Sequence, residues 1–204
     1  MNGVLRDTIL KFKQLYEKFY IDPYTDLPEK PEFEYKITEP IDSLNLMDHF
    51  TFPNKDDFYS FMYEEHPMEI FGHSPSVELS TMHDLNEFYY DMRDNHEIMI
   101  VSDEIGKSKP ASLFFLSKFG CLIEKIKFYS EITQNSMWDE LDILLTANPD
   151  LLLKKPDNKI IIKFETSYNK NIDCEHTIKN LKELKTKLEE ILWSRYLEKI
   201  ISLI

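Results

Sequence analysis

The chain of 204 residues has little glycine, little cysteine and no long apolar run. Four glycines in the whole chain argue against glycine-rich phosphate-binding loops, which need that residue for their tight turns. The two cysteines, Cys121 and Cys174, lie far apart without metal-type spacing and fit a reducing compartment. No apolar run approaches the roughly 20 residues of a membrane span, and the amphipathic N-terminus does not resemble a signal peptide. We therefore expect no membrane contact and no secretion by a signal peptide.

Positive charge is scarce in the first half of the chain. The formal net charge is −13, and residues 21–104 hold 21 Asp and Glu against 4 Lys and Arg, a balance of −17. Such a field repels nucleic acid and attracts cations or basic partners. The simplest interpretation is a solvated acidic face. A docking surface for a basic protein, an acidic inhibitor and a mimic of DNA are the alternatives.

A zinc or serine-hydrolase site has no support in the spacing of the residues. No two histidines have the helical HExxH arrangement that binds zinc, and no Ser-His-Asp set stands out. The histidines are spread along the chain: His49, His66, His73, His83, His96 and His176. We expect no cofactor for the favoured function given below.

Amphipathic helices are predicted at both ends of the chain. Apolar residues recur at three- and four-residue steps over Val4–Tyr20 and again from Ile178 towards the C-terminus. Three prolines at 23, 28 and 31 mark an extended linker after the first helix. The predicted domains are an N-terminal helix with a proline-rich linker (1–32), an α/β domain (33–170) and a C-terminal helix (171–204).

The middle of the chain alternates between predicted strands and predicted helices. Such alternation is typical of βαβ units with a parallel sheet, so we expect an α/β fold of three layers. The predicted strands cover 33–40, 96–102, 123–129, 141–146 and 159–165. The predicted helices cover 56 to near Pro67, 82–95, 110–120 and 150–155.

The order of these elements resembles a known family. The strand "IMIVS", the turn and helix "GKSKPASLFFLSK", the strand "IEKIKFY", and the run "DILLTANPDLL" followed by "KIIIKFETSYN" are similar to the second half of haloacid-dehalogenase-type (HAD-like) phosphohydrolases. The 5′-nucleotidase branch is the most similar, and the resemblance covers about Leu79 to Asn169. It implies a Rossmann-like, HAD-like parallel sheet.

The resemblance also implies roles for particular residues. Ser102, at the end of its strand, would be the hydroxyl that binds phosphate, and Lys107 or Lys109 would be the cation beside it. The acidic pair that holds Mg²⁺ in the family falls at Thr146-Ala147, and neither residue is a carboxylate. A second interpretation of Ser102, from the residues themselves, is a helix cap together with Asp103 and Glu104.

The carboxylates that phosphoryl transfer requires are missing from this pattern. The reaction needs a carboxylate nucleophile, a second acid two residues later and hard oxygen ligands for the metal. The early segment "YKITEPIDS" offers Glu39 without an Asp-x-Asp motif, and "LNLMDHF" offers Asp48 alone. Because members of a catalytic unit do not act additively, losing several removes the activity.

The favoured hypothesis is a non-catalytic HAD-like protein, a pseudoenzyme that acts through protein–protein contacts in an oligomeric assembly. Its degenerate appearance resembles that of phage-encoded proteins, so a structural component of a virion is expected, located in the virion or in the cytoplasm of the host cell. No catalytic residue, metal or direct nucleic-acid contact is assigned under this hypothesis.

The alternative is a divergent Mg²⁺-dependent phosphohydrolase that acts on a nucleotide or a small phosphomonoester. It would use Glu39 or Asp48 as nucleophile and a relocated carboxylate, Asp142 or Asp150, as metal ligand. Ser102 and Lys109 would bind the phosphate. Asp142 also belongs to an acidic group with Asp139 and Glu140, and a plain helix-to-strand junction accounts for that group as well.

Overall fold

The computed structural model describes residues 1–22, 33–130 and 132–201, with side-chain environments as far as residue 196. The three prolines of the predicted linker lie outside the described residues. The apolar residues 200–204 fall outside the described side chains.

In the part of the chain that the structure describes, five short strands form two parallel sheets. Strand β1 (Met99–Ser102) pairs with β2 (Lys125–Phe128). In the second sheet β4 (Ile160–Phe164) lies between β3 (Ile143–Thr146) and β5 (His176–Ile178). Runs of Ile, Leu and Val suit parallel strands that are covered on both faces. The mixed α/β class expected from the sequence is confirmed at this level.

Seven α-helices accompany the sheets in the described residues. Three of them (81–92, 108–118 and 149–153) begin and end within three residues of the predicted bounds, and the helix at 134–140 was not predicted. The helix at 108–118 accommodates Pro110 in its first turn. The helices are α1 (Thr8–Tyr16), α2 (Lys55–Tyr59), α3 (Thr81–Met92), α4 (Ser108–Lys118), α5 (Gln134–Glu140), α6 (Pro149–Leu153) and α7 (Leu184–Ile201).

The two helices predicted at 4–20 and from 56 to near Pro67 are shorter and less regular than expected. Helix α1 starts only at Thr8, where the Asp7 carboxylate accepts a hydrogen bond from the Leu10 N–H at 3.0 Å. Helix α2 ends after five residues. Wider π-helical turns continue both helices, at Glu17–Ile21, Ser60–Glu65 and Met68–Gly72. A π turn shifts the side chains that follow it, which periodicity alone does not predict.

The predicted strand at 33–40 is wrong, although its alternation of half-buried and exposed residues is present. The segment has one isolated bridge, from Ile37 to Phe50, instead of a ladder. Its backbone bonds go partly to side chains: the Tyr16 hydroxyl donates to the Lys36 carbonyl at 3.3 Å, and the Lys36 N–H donates to the Thr51 hydroxyl at 2.7 Å. The segment thus lies over an aromatic cluster without joining a sheet.

The apolar pattern predicted as the C-terminal helix begins before the observed helix does. The prediction placed Ile178 in a helix, but Ile178 is in β5, where it lies opposite Phe164 of β4. A 3₁₀ turn (Leu181–Glu183) then leads into α7. Ile178, Leu181, Leu184 and Ile191 are all buried in the main core, because strand, turn and helix face it.

Three apolar clusters hold the elements together. The main core joins the strands to α3, α4 and α7, an aromatic core packs α1 against residues 46–71, and a smaller cluster lies beneath α5 and α6. In the aromatic core the Phe12 ring meets Phe50 edge-on at 4.9 Å and Phe61 at 5.5 Å between centroids. Such edge contacts stabilise beyond simple burial. Both terminal helices are therefore packed against the rest of the chain.

In the part of the chain that the structure describes, no helix is both long enough and apolar enough to cross a membrane.

We predict that Ile178→Ala lowers the free energy of unfolding by about 2–5 kcal/mol, because it leaves a cavity in a fully buried position. Ile132→Ala is the matched control, since Ile132 is 92% exposed and the same truncation there is expected to change stability by less than about 0.5 kcal/mol. Urea unfolding monitored by circular dichroism measures both. Equal effects would contradict the placement of Ile178 in a buried strand.

Candidate functional site at the carboxyl ends of the strands

A cleft of about 780 Å³ opens between the two sheets, where β1 and β3 end. Val101 and Ser102 line it from β1, Leu144–Thr146 line it from β3, and Phe164 lines it from β4. The first three residues of the chain, Met1–Gly3, lie across it. Ligands of parallel α/β proteins bind at this end of the strands, so the cleft is the candidate functional site.

A buried ion pair fills the corner beside Ser102. Arg6 is fully buried, and its guanidinium contacts the carboxylate of Glu104, which is 2% exposed. The Ser102 hydroxyl donates to the same carboxylate oxygen at 3.1 Å. Burial lowers the pKa of Arg6 while the Glu104 charge opposes that shift, so the guanidinium keeps its charge. The pair places a carboxylate where the resemblance implied a phosphate.

Arg6 also joins parts of the chain that are far apart in sequence. Its Nη1 donates to the Phe71 carbonyl at 2.9 Å and to the Ser112 hydroxyl at 2.8 Å. Its Nε donates to the Asn2 side-chain oxygen at 2.7 Å, and the guanidinium lies over the Phe71 ring at 5.0 Å. These bonds use most of the five donors of Arg6, which burial of its charge requires.

The corner after β3 is closed by small and neutral groups. The Thr146 hydroxyl accepts from the Asn148 N–H at 3.1 Å, and the Asn148 side chain accepts from the Asp150 N–H at 2.9 Å, which caps α6. Ala147 is 1% exposed and belongs to the main core. No carboxylate stands at Thr146-Ala147, so this corner offers no anionic ligand to a metal.

The "TSYN" segment after β4 secures that corner from the other side. The buried Asn169 amide donates to the carbonyls of Ala147 and Phe164, both at 2.9 Å, and the Asn169 side-chain oxygen accepts from the Thr166 N–H at 2.8 Å. All these bonds are internal. Asn169 therefore fixes the ends of β3 and β4 to each other.

Gly3 and Tyr168 meet across the cleft. Gly3 has a φ of +72°, and a Cβ placed there would lie 1.9 Å from the Tyr168 hydroxyl oxygen. Glycine is therefore required at this position for both conformation and space. Burial raises the pKa of Tyr168 to about 12, so its phenol is neutral at physiological pH.

Of the four residues assigned to a possible activity, the structure brings Glu39 and Ser102 to the cleft. Glu39 stands at its mouth in an ion pair with Lys13, whose hydrogen bond lowers the pKa of Glu39. Lys109 is exposed on α4, with its amine 5.7 Å from the centroid of the Phe128 ring. Asp142 is exposed at the amino end of β3, about 13 Å from Thr146 at a strand's rise of ~3.3 Å per residue.

The remaining candidates divide between the cleft and the surface. Asp150 lines the cleft and is exposed, whereas Asp48 lies elsewhere and accepts a hydrogen bond from the Asn45 amide at 2.8 Å. Lys107 forms an ion pair with Glu64 at 2.7 Å. Glu140, from the acidic junction, contacts Lys127, and this hydrogen bond lowers the pKa of Glu140.

Sequence reasoning missed Asn2, which lines the cleft, and Arg6, the buried partner of Glu104. Both residues lie ahead of the observed first helix, and the helix predicted at 4–20 wrongly included Arg6. It also assigned Ser102 either to phosphate or to a helix cap, whereas its hydroxyl bonds to the Glu104 carboxylate. The sequence marks Arg6 only by its place after Val4 and Leu5 in "NGVLRDT". A single arginine beside apolar residues does not reveal which carboxylate it will pair with.

A second group of possible ligands lies on α3. The side chains of His83, Asp84 and Glu87 bring one ligand atom each within 4.8 Å of one another. His83 and Glu87 are exposed, and buried Asp84 has one carboxylate oxygen without a hydrogen-bond partner. Together they offer oxygen and imidazole ligands to a divalent cation.

Comparison with known proteins gives no relative. No protein-family model, no curated protein and no solved structure matches the chain.

We predict that Glu104→Gln lowers the free energy of unfolding by about 3–5 kcal/mol, because it leaves the Arg6 charge buried without a counter-charge. The matched control is Asp91→Asn, which breaks the exposed 2.7 Å pair with Lys185 and is expected to change stability little, since water screens it. Chemical denaturation measures both. A small effect of Glu104→Gln would show that Arg6 does not depend on this carboxylate.

Proposed function

We propose that this chain is a non-catalytic HAD-like protein, built on a three-layer, Rossmann-like parallel arrangement, that acts through contacts with other proteins. The observation that carries the proposal is the buried Arg6–Glu104 pair in the corner beside Ser102. A phosphohydrolase would need that corner for its substrate, and here the protein's own side chains use it.

The electrostatics of the corner oppose phosphate binding. The Ser102 hydroxyl donates to a carboxylate, so its proton is already used. Glu104 would repel a phosphate brought to the same hydroxyl, and Arg6 has its donors directed at protein atoms. A site that stabilises developing negative charge needs free donors, and this corner has exchanged them for internal bonds.

The β3 corner lacks the ligands of a magnesium ion. Mg²⁺ is held in enzymes by one or two carboxylates together with substrate phosphates. At the equivalent corner this chain has the Thr146 hydroxyl, which accepts a backbone N–H, and the buried methyl group of Ala147. The side chains at both corners are therefore engaged in internal contacts, which supports a structural role for them over a catalytic one.

Helix α7 presents a surface suited to protein contact. Trp193 and Tyr196 are 62% and 58% exposed, and their rings stack with centroids 5.9 Å apart. They border a shallow depression shared with Met92 and His96 near the end of α3. Exposed aromatic pairs of this kind are enriched at protein interfaces and often dominate their binding energy. This surface supports an oligomeric assembly, such as a phage virion component.

The alternative, a divergent Mg²⁺-dependent phosphohydrolase, is favoured by one observation. Glu39, Ser102 and Asp150 all line the same cleft, so a carboxylate nucleophile, a hydroxyl and a second carboxylate share one cavity. Lys109 and Asp142 would have no part in such a site.

We predict no Mg²⁺-dependent release of phosphate from a panel of nucleoside monophosphates, because the Ser102 corner is occupied and the metal corner has no carboxylate. A colorimetric phosphate assay at micromolar enzyme measures turnover. Turnover that is lost in Glu39→Gln and Ser102→Ala but retained in Asp142→Asn, which alters a carboxylate at the far end of β3, would establish the alternative instead.

We predict that the protein forms a defined oligomer and that the double variant Trp193→Ala/Tyr196→Ala shifts it towards the monomer, because the exposed aromatic pair contributes to the interface. Sedimentation velocity at several concentrations measures the change. Leu79→Ala is the control, since Leu79 is fully exposed and precedes α3, whereas the depression beside Trp193 and Tyr196 lies at the other end of that helix. A monomeric parent at tens of micromolar, or equal assembly of both variants, would contradict this role of α7.

A further inference from the structure

The two sheets face each other across the cleft with unpaired edges. Strands β1 and β3 both line it, yet no backbone ladder joins them within the described residues. The strands run in parallel within each sheet, and β1 and β3 carry their carboxyl ends to the same cleft. An open strand edge exposes N–H and C=O groups that pair readily with another strand.

The hydrogen bonds of β1 show which groups point into the cleft. In a parallel strand, the backbone groups of successive residues point to opposite sides. The Tyr129 N–H donates to the Ser102 carbonyl at 2.9 Å, on the β2 side. The carbonyl of the preceding residue, Val101, therefore points away from β2. Its partner is the amino nitrogen of Met1, at 3.5 Å.

The same alternation applies to β3. The Ile160 N–H donates to the Asp142 carbonyl at 3.1 Å, on the β4 side. The backbone groups of Ile143 and Leu145 therefore point away from β4, and Leu145 lines the cleft. The cleft thus has a row of donors and acceptors on each side.

The Met1 nitrogen occupies a place better suited to a peptide N–H than to a charged amine. Burial lowers the pKa of this amino group, so the environment disfavours its charge. A peptide N–H would make the same bond to the Val101 carbonyl without a charge to bury. Any residue bonded to that nitrogen would lie between β1 and β3.

We propose that the cleft holds an extended apolar strand, peptide-bonded to the nitrogen of Met1, that pairs in parallel with β1 on one side and β3 on the other. Four to five residues match the four-residue length of each edge. The strand would reach Met1 at the carboxyl ends of both neighbours, which makes it parallel to them. The result is one continuous sheet in the order β2-β1-strand-β3-β4-β5.

The surroundings of the cleft indicate that this strand is apolar. A central parallel strand is covered on both faces and is therefore apolar at nearly every position. The side chains of Leu144, Leu145 and Phe164 line the cleft and would pack against it. Covalent linkage is favoured over a separate peptide because Met1–Gly3 already cover the carboxyl end, which a separate strand would have to displace. Linkage also supplies a millimolar effective concentration.

The test compares the full chain with three extensions of equal length placed before Met1: Val-Ile-Val-Val-Ile, Ser-Asn-Ser-Ser-Asn, and Val-Ile-Pro-Val-Ile. We expect the first to raise Tm by at least about 5 °C, because it pairs two sheet edges. It is also expected to slow hydrogen exchange at least tenfold in peptides covering 98–103 and 142–147. The polar extension lacks the apolar side chains, and the proline extension lacks one backbone N–H donor of the strand. We therefore expect neither to raise Tm or to slow hydrogen exchange in this way.

Two controls distinguish strand pairing from removal of the buried charge and from binding of a separate peptide. Acetylation of the α-amine removes the buried charge without adding a strand, and equal stabilisation by acetylation would overturn the proposal. The peptide acetyl-Val-Ile-Val-Val-Ile-amide, added at millimolar concentration, tests the source of the strand. Protection by this free peptide without protection by the linked extension would overturn covalent linkage, and protection by neither would overturn the proposal altogether.

Discussion

The buried ion pair between Arg6 and Glu104 connects the parts of the chain that form the site. It ties the N-terminal segment to the loop after β1, and through Phe71 and Ser112 to a π turn and to α4. Loss of either charge would leave the other buried without its counter-charge, which costs far more than breaking an exposed pair. The arrangement around Ser102 consequently depends on this one contact, and so does the position of Met1–Gly3 across the cleft.

A second set of internal bonds has the same effect at the other side of the cleft. Asn169 joins the ends of β3 and β4, and Gly3 lies so close to Tyr168 that no side chain fits between them. Polar groups that could meet a substrate are directed at one another instead. Satisfied networks of this kind make a rigid scaffold, which agrees with the proposed role in contacts with other proteins. The exposed aromatic pair on α7 is the surface proposed for those contacts.

The two sheets remain separate, although the elements around them are closely packed. Helices and aromatic side chains pack densely on the elements, while the edges of β1 and β3 stay apart around a cleft. Within the described residues the parallel α/β pattern of the sequence forms two short sheets rather than one. The strand proposed above would pair with the hydrogen-bonding groups of both edges.

Local pattern in the sequence determined the strands at 99–102, 125–128, 143–146 and 160–164 and the helices around them, because apolar periodicity reflects which face each element buries. It also determined the absence of carboxylates at Thr146-Ala147. Only the tertiary structure decided that Ile178 pairs as a strand, that 33–40 does not, and that Arg6 meets Glu104. Those outcomes depend on neighbours distant in the chain, and neither a sheet edge nor a buried counter-charge leaves a periodic signal near the residue that uses it.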